Sequence, residues 1–305
     1  MKTVNFGLTQ LQVPNIILGC MRMEDKTLEE ASHIIQTAYN AGITMFDHAD
    51  IYGKGQSEII FGQAIKHLGI NREDIVIQSK CGIRDGYFDF SKEHILNSVD
   101  LILERLGTDY LDILLLHRPD ALVEPKEVNE AFNILLHNGK VRHFGVSNQS
   151  PLQVELLQKY LDVKLEANQL QLSLKHTNMF DFGFNVNNYN ESAVDRTGSI
   201  VEYSRIHDMT IQAWSPFFAG YFESIFMENT DFPVLNESLK KMGAKYECSA
   251  EAIAVAWILR HPAKMQAIIG SMNADRIERI CVGSEIELSR EDWYSLYRDA
   301  DNLLP

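Results

Sequence analysis

The feature that most constrains this chain is an alternation. Short apolar runs are each followed by a longer segment of helical periodicity, and the pair repeats eight times. Such repetition builds βα units around a parallel sheet, because each amphipathic helix must bury its apolar stripe against the strands it connects. The runs end near Gly19, Phe46, Lys80, His117, Gly145, Leu170, Trp214 and Gly270, at intervals of 27, 34, 37, 28, 25, 44 and 56 residues. Eight strands predict a closed (β/α)8 TIM barrel, an α/β fold with its active site at the C-terminal face of the strands. The length of 305 residues would also allow two domains. No linker or internal repeat marks a boundary, so residues 1–305 are expected to form a single barrel domain.

Helix signals fall between the strand ends. Thr27 with Glu30 reads as a capping box, and Ser150-Pro151 places an N-cap before a proline at the first helical position. Ile95, Val99, Ile102 and Leu106 form one apolar face, with Gly107 as the stop. The two longest intervals contain an Asn-rich stretch at 185–190 and a segment at 217–233. Both read as insertions at the loop-bearing end, where long loops commonly serve binding; for the Asn-rich stretch a disordered connector is equally open.

Charge and cysteine content exclude several function classes. With 42 acidic against 28 basic residues the net charge is -14, a field that repels phosphate backbones and anionic lipid. Nucleic acid and membrane are therefore not expected as partners, and an anionic ligand would need a local cluster of donors. Cys20, Cys81, Cys248 and Cys281 form no C-x-x-C pair or metal-ligand spacing, which fits a reducing compartment. No apolar leader is present and runs such as Leu111–Leu116 are strand-sized, so a cytoplasmic protein, monomeric or weakly homo-oligomeric, is expected. His48 and Asp50 lack a partner histidine at a recognised spacing, and no metal is expected.

The chemistry-bearing residues cluster at strand ends. The second strand runs into Phe46-Asp47-His48-Ala49-Asp50-Ile51-Tyr52-Gly53, the third ends Gln78-Ser79-Lys80, and the fourth reads Leu114-Leu115-Leu116-His117-Arg118-Pro119-Asp120. In a parallel barrel the strand C-termini converge, so Asp47, Tyr52, Lys80 and His117 can meet. This set resembles the catalytic tetrad of the aldo-keto reductase superfamily. The likeness continues through Gly145-Val146-Ser147-Asn148, Asn168-Gln169, Trp214-Ser215-Pro216, the run Ala256-Trp257-Ile258-Leu259-Arg260-His261-Pro262, and Gly270-Ser271-Met272-Asn273. The Leu-Leu-His-Arg-Pro-Asp segment looks most like a bacterial branch whose substrates are poorly defined.

The resemblance implies NADPH-dependent reduction of a small-molecule carbonyl, with Tyr52 as proton donor. As hydride reaches the carbonyl carbon, charge grows on oxygen and must be met by a proton or by oriented donors. A phenol is a weak acid near neutrality; Lys80 is expected to pull the Tyr52 pKa down, Asp47 to keep Lys80 charged, and His117 to position the substrate oxygen or relay a proton.

By the same resemblance, Ser147, Asn148 and Gln169 would hydrogen-bond the nicotinamide carboxamide and Trp214 would stack on its ring. The stretch 215–219, with Ser215, Pro216 and Phe217, would approach the pyrophosphate. Ser271 and Arg276 would meet the 2'-phosphate, Asn273 would cap the following helix and lend a donor, and Gly19, Met21 and Gly270 would complete the cofactor set. There are departures: Gly270 stands where some relatives have Lys, and Arg279-Ile280 replaces a Glu-Asn pair near the adenine. The substrate pocket is expected from the loop 82–90 with Tyr87, Phe88 and Phe90, together with Met21, Met23, Phe217, Phe218 and residues of the later insertions. That lining favours hydrophobic aldehydes or ketones. Gly53-Lys54-Gly55 reads as a turn rather than a phosphate loop, and Cys81 as a pocket-lining thiol or one of lowered pKa. A binding module without turnover and a metal-dependent hydrolase are the competing functions.

Overall fold

In the computed structural model, which describes residues 1–221 and 223–305, eight parallel strands close into a barrel. They are β1 (Ile16–Gly19), β2 (Met45–Asp47), β3 (Val76–Cys81), β4 (Leu111–Leu116), β5 (Val141–Ser147), β6 (Leu165–Gln171), β7 (Thr210–Trp214) and β8 (Gln266–Ile269). Each pairs with its neighbours in sequence, and β8 pairs with β1 to close the ring. Every strand ends within two residues of its expected position, because the apolar run breaks where the chain leaves the buried sheet.

The helices follow the local signals. Helix α1 (Leu28–Asn40) starts on the Thr27–Glu30 capping box, with Glu30 N bonded to Thr27 Oγ1 and Thr27 N to Glu30 Oε2. Helix α2 (Gln56–Leu68) begins after Gly53, Lys54 and Gly55, which take φ of 55°, 54° and 92°. These left-handed values make the segment a tight turn, which glycine tolerates without Cβ strain. In α3 (Lys92–Leu106) the residues Ile95, Val99, Ile102 and Leu106 are all buried, and Gly107 ends the helix in the left-handed region. Helices α4 (Pro125–His137) and α5 (Pro151–Gln158) each carry proline in the first turn, and Ser150 forms a capping box with Gln153.

Between β6 and β7, α6 (Asn178–Phe184) and α7 (Ile200–Ile206) flank the Asn-rich stretch, whose side chains bond it to its surroundings. Asn185 is buried, donates to the carbonyls of Asp181 and Leu303, and accepts from Asn190. Helices α8 (Pro233–Lys245), α9 (Ala250–Leu259), α10 (Ala274–Cys281) and α11 (Arg290–Asp299) complete the wall. Trp257 of α9 and Trp293 of α11 stack at 4.8 Å, each indole N–H donating to the other's backbone carbonyl. The segment 217–233 folds back through a bridge between Phe218 and Ile225; Phe222 within it lies outside the described residues.

Two cores result. One fills the space between barrel and helices, and the other fills the barrel axis with Phe6, Val13, Ile17, Met45, Ile113, Leu115, Ala167 and Ile268. Phe6 and Val13 come from an N-terminal hairpin, Thr3–Asn5 paired with Gln12–Pro14, that closes the lower end. Three-residue strands carry too little periodicity to be read from the sequence. The apolar plug leaves the polar side chains at the opposite, C-terminal end. No helix among the described residues is long and apolar enough to cross a membrane.

Candidate active site

The chain beyond β2 stays pinned to β3 and so delivers Tyr52 to the barrel mouth. His48 N donates to Gln78 O, Asp50 N to Lys80 O, and Tyr52 N to Ala49 O, at 2.8, 3.0 and 3.0 Å. Lys80 is fully buried, and its Nζ lies 2.8 Å from Asp47 Oδ2, 2.6 Å from His48 O and 3.2 Å from Tyr52 Oη. The rings of Tyr52 and His117 meet edge-on with centroids 6.1 Å apart. The four residues expected to converge do so.

Three glutamines hold this corner from below. Asp47 Oδ1 accepts from Gln78 Nε2 at 2.6 Å and Gln169 Nε2 at 3.0 Å, while Gln212 exchanges bonds with Gln78 and reaches Gln266. Sequence reasoning missed Gln78 and Gln212. A signal was present: Ile77-Gln78, Ile211-Gln212 and Met265-Gln266 each place an amide inside an apolar strand, where a polar group requires a partner.

Burial dominates the electrostatics. It pushes the Tyr52 phenol above its ordinary pKa, and the nearby ammonium of Lys80 offsets only part. The expectation of a lowered Tyr52 pKa is thus reversed: removal from water penalises phenolate more than one ammonium favours it. Burial likewise opposes the charge on Lys80, but Asp47 and Tyr52 outweigh it and hold the pKa up. His117 is driven well down by burial and by the adjacent cations of Lys80 and Arg118, so its imidazole is neutral. Neither ring nitrogen of His117 has a hydrogen-bond partner among the described residues, and Nδ1 is buried. Behind the corner, Arg105 pairs with Glu58 at 3.0 Å and donates to Asp50 O at 3.1 Å, tying α2 and α3 to the Tyr52 turn. The sequence reading did not single out this clamp.

A cavity of about 710 Å³ opens over the corner. Asp47, Tyr52 and His117 line it, and Lys80 lies beneath. The expected cofactor residues Gly19, Met21, Ser147, Asn148, Gln169 and Trp214 line it too, followed by Ser215, Pro216, Phe217, Gly270, Ser271 and Arg276. Ser147 Oγ donates to Gln169 O, Asn148 Nδ2 donates to Ser147 Oγ, and Trp214 Nε1 donates to Asn148 Oδ1 at 3.3 Å. This chain of bonds locks the indole beside the nicotinamide-binding candidates. Asn273 does not line the cavity; its side chain accepts from Arg276 N at 2.8 Å and caps α10.

The expected substrate pocket needs correction. Phe90 is buried against Gly82 and Met23 is buried in the core. Tyr87 and Phe88 sit exposed on a small hairpin, and neither lines the cavity. From that loop only Ile83 reaches it, joined by Ile51, Met227 and two cations the sequence reading passed over, Arg22 and Arg118. Arg22 donates to Gly270 O at 3.3 Å, and Arg118 lies over Trp214 with its guanidinium 5.8 Å from the ring centre. Cys81 is buried rather than pocket-lining, and burial raises its pKa well above the ordinary value.

A strand-end tetrad under such a cavity on a (β/α)8 barrel defines a class of oxidoreductase. The chain belongs to the Aldo/keto reductase family, whose model matches residues 15–298. It is 35% identical over 94% of each chain to the oxidoreductase YcsN of Bacillus subtilis strain 168. It is 32% identical to 6-dehydroglucose reductase of Agrobacterium fabrum, over 94% of each chain. Among solved structures, an aldo-keto reductase from Klebsiella pneumoniae in complex with NADPH superposes with a TM-score of 0.79 at 26% identity, covering 100% of this chain and 96% of that one.

Proposed function

We propose that the protein, as one barrel domain over residues 1–305, reduces aldehyde or ketone carbonyls to alcohols with NADPH, and that Tyr52 is the general acid. The observation that carries this reading is Tyr52 Oη, 3.2 Å from the fully buried Lys80 Nζ at the floor of the cavity. Burial keeps the phenol protonated across neutral pH, so Tyr52 can donate to a carbonyl oxygen as it gains charge. Asp47 holds Lys80 charged, and Lys80 orients the phenol by hydrogen bond. The neutral His117 can hydrogen-bond the substrate oxygen without competing as an acid.

The donor set suits a nicotinamide dinucleotide. Asn148 and Ser215 take left-handed φ of 56° and 52°, displaying polar groups beside Trp214, and Arg22, Ser271 and Arg276 place donors at the far end. When bound, the reduced nicotinamide supplies the hydride. Ser147, Asn148 and Gln169 would hold its carboxamide, Trp214 its ring, and Ser271 and Arg276 its 2'-phosphate. Apolar lining from Met21, Ile51, Ile83 and Phe217 supports hydrophobic carbonyl substrates. A cytoplasmic monomer or weak homo-oligomer completes the reading. The test is a carbonyl panel followed by NADPH absorbance. Turnover with at least one aldehyde or ketone supports it; tight NADPH binding with no turnover on any member would make the protein a binding module.

A further inference from the structure

The cavity end beside β8 combines charges of both signs. Arg276 and Arg279, three residues apart on α10, both approach Glu251: Arg279 Nη2 is 3.5 Å and Arg276 Nε 3.9 Å from Oε1. Glu251 stands in the first turn of α9, where the positive helix end favours a carboxylate. Its side chain is 18% exposed, whereas the two arginines are 50% and 49% exposed. Oε2 of Glu251 accepts no hydrogen bond among the described residues. Glu251, Ser271 and Arg276 line the same cavity, and Gly270 adds no side chain beside them.

Stability does not explain this cluster. Both pairs are long and half-exposed, a geometry that contributes little to folding. A carboxylate with an oxygen that accepts no hydrogen bond, next to guanidinium and hydroxyl donors, is instead complementary to a ligand carrying hydroxyls and, optionally, an anion. Dinucleotide sites use these two residue types in opposition, a carboxylate for the ribose 2'-hydroxyl and an arginine for the 2'-phosphate. Here both occupy one subsite.

We infer that Glu251 sets the cofactor selectivity of this site: it accepts hydrogen bonds from the adenosine ribose hydroxyls of NADH and competes with the 2'-phosphate of NADPH for Arg276. The inference rests on the dinucleotide reading above. A 2'-phosphate approaching Arg276 meets the like charge of Glu251, whereas a ribose hydroxyl gains a charged acceptor. The wild-type site is accordingly dual, binding the two cofactors with similar strength.

The test is titration of wild type and Glu251→Gln with NADPH and NADH, followed by protein fluorescence; no turnover is needed. Glutamine keeps the shape and removes the charge. Dissociation constants within about tenfold of each other for wild type are expected. In Glu251→Gln the NADPH constant should fall and the NADH constant should rise, moving their ratio by roughly tenfold or more. A ratio that stays put, or moves toward NADH, while both cofactors still bind overturns the inference alone. Failure of wild type to bind either dinucleotide overturns the dinucleotide reading and the inference with it.

Discussion

The two ends of the cavity are built on different principles. At the β2–β3 corner, Asp47 and Lys80 are almost wholly buried and their bonds run between strand ends, to the turn that follows β2, or to amides within the barrel. At the β7–β8 end the polar groups come from loops and from the starts of α9 and α10, and Arg276 is half exposed. Interactions in the first region act in low dielectric with fixed geometry, so each is strong when paired and costly when broken. Those in the second are screened by water and share partners. The proposed chemical step thus falls where groups cannot move, and the proposed cofactor choice where they can be exchanged.

The comparison is broken most directly at Lys80. In Lys80→Met, Asp47 remains buried without its cation, a loss of about 3–5 kcal/mol for an unpaired buried charge. Gln78 and Gln169 still donate to Asp47, which places the expected loss near the lower figure. Chemical denaturation measures it, and a loss below about 1 kcal/mol would mean that the two amides alone satisfy the carboxylate. Tyr52→Phe removes only the phenolic hydroxyl, the proposed proton donor. Its carbonyl reduction should fall by at least ~10²-fold, with NADPH binding and stability nearly unchanged. A kcat close to wild type on the best substrate would take Tyr52 out of the mechanism.

The same contrast decides what was legible in the sequence. Strand ends were readable because a buried parallel strand must be apolar, and the barrel then forces Asp47, Tyr52, Lys80 and His117 together. The capping boxes at Thr27 and Ser150 and the stop at Gly107 were readable because each satisfies helix-end groups within a few residues. What the sequence hid is set by distance or by competition. The Gln78–Gln212 bonds join strands 134 residues apart, and the Arg105–Glu58 clamp spans 47 residues. The Tyr52 pKa was misjudged because burial, which no motif encodes, outweighs the single cation that the motif supplies. The aromatic residues at 87–90 were misplaced for a related reason: Tyr87 and Phe88 pair only with Ile83 and Arg84 in a two-stranded hairpin that leaves both exposed, while Phe90 beyond it fills the space over Gly82.

Behind the corner, pH should act through Glu58. Burial pushes its carboxyl up to about 7; the bonds from Ser79 and Arg105 favour the ionised form but do not win, since Glu58 is fully enclosed and Arg105 is not. The folded state therefore holds this proton more tightly than the unfolded chain. The contribution to stability is full below the unfolded pKa of about 4.3 and is lost as pH rises through about 7. Asp50, pushed up to about 6 by burial, acts in the same direction. Denaturation from pH 5 to 8 should show wild type losing up to about 3 kcal/mol from the Glu58 shift. Glu58→Gln should lose distinctly less, with the Asp50 part remaining. Parallel curves for the two proteins would show that Glu58 is ionised throughout.

The smallest effect is expected at the exposed end, and it sharpens the comparison by its selectivity. Arg276 lines the cavity near Ser271, at the start of a helix capped by Asn273, where a phosphate also meets the positive helix end. NADPH carries the 2'-phosphate and NADH does not, so a guanidinium used there adds affinity for NADPH alone. A charge-assisted hydrogen bond is worth about 1.5–3 kcal/mol. Half exposure screens it, and Glu251 at 3.9 Å draws on the same group, so the lower figure applies here. Arg276→Ala should then weaken NADPH binding roughly tenfold and leave NADH within about twofold, as the lost group touches nothing the two cofactors share. Fluorescence titration of both cofactors decides it. Equal losses for both would place Arg276 at the pyrophosphate, and no loss for either would leave it a surface arginine paired with Glu251; in both cases selectivity would have to reside elsewhere along the exposed end, while the buried corner would be untouched.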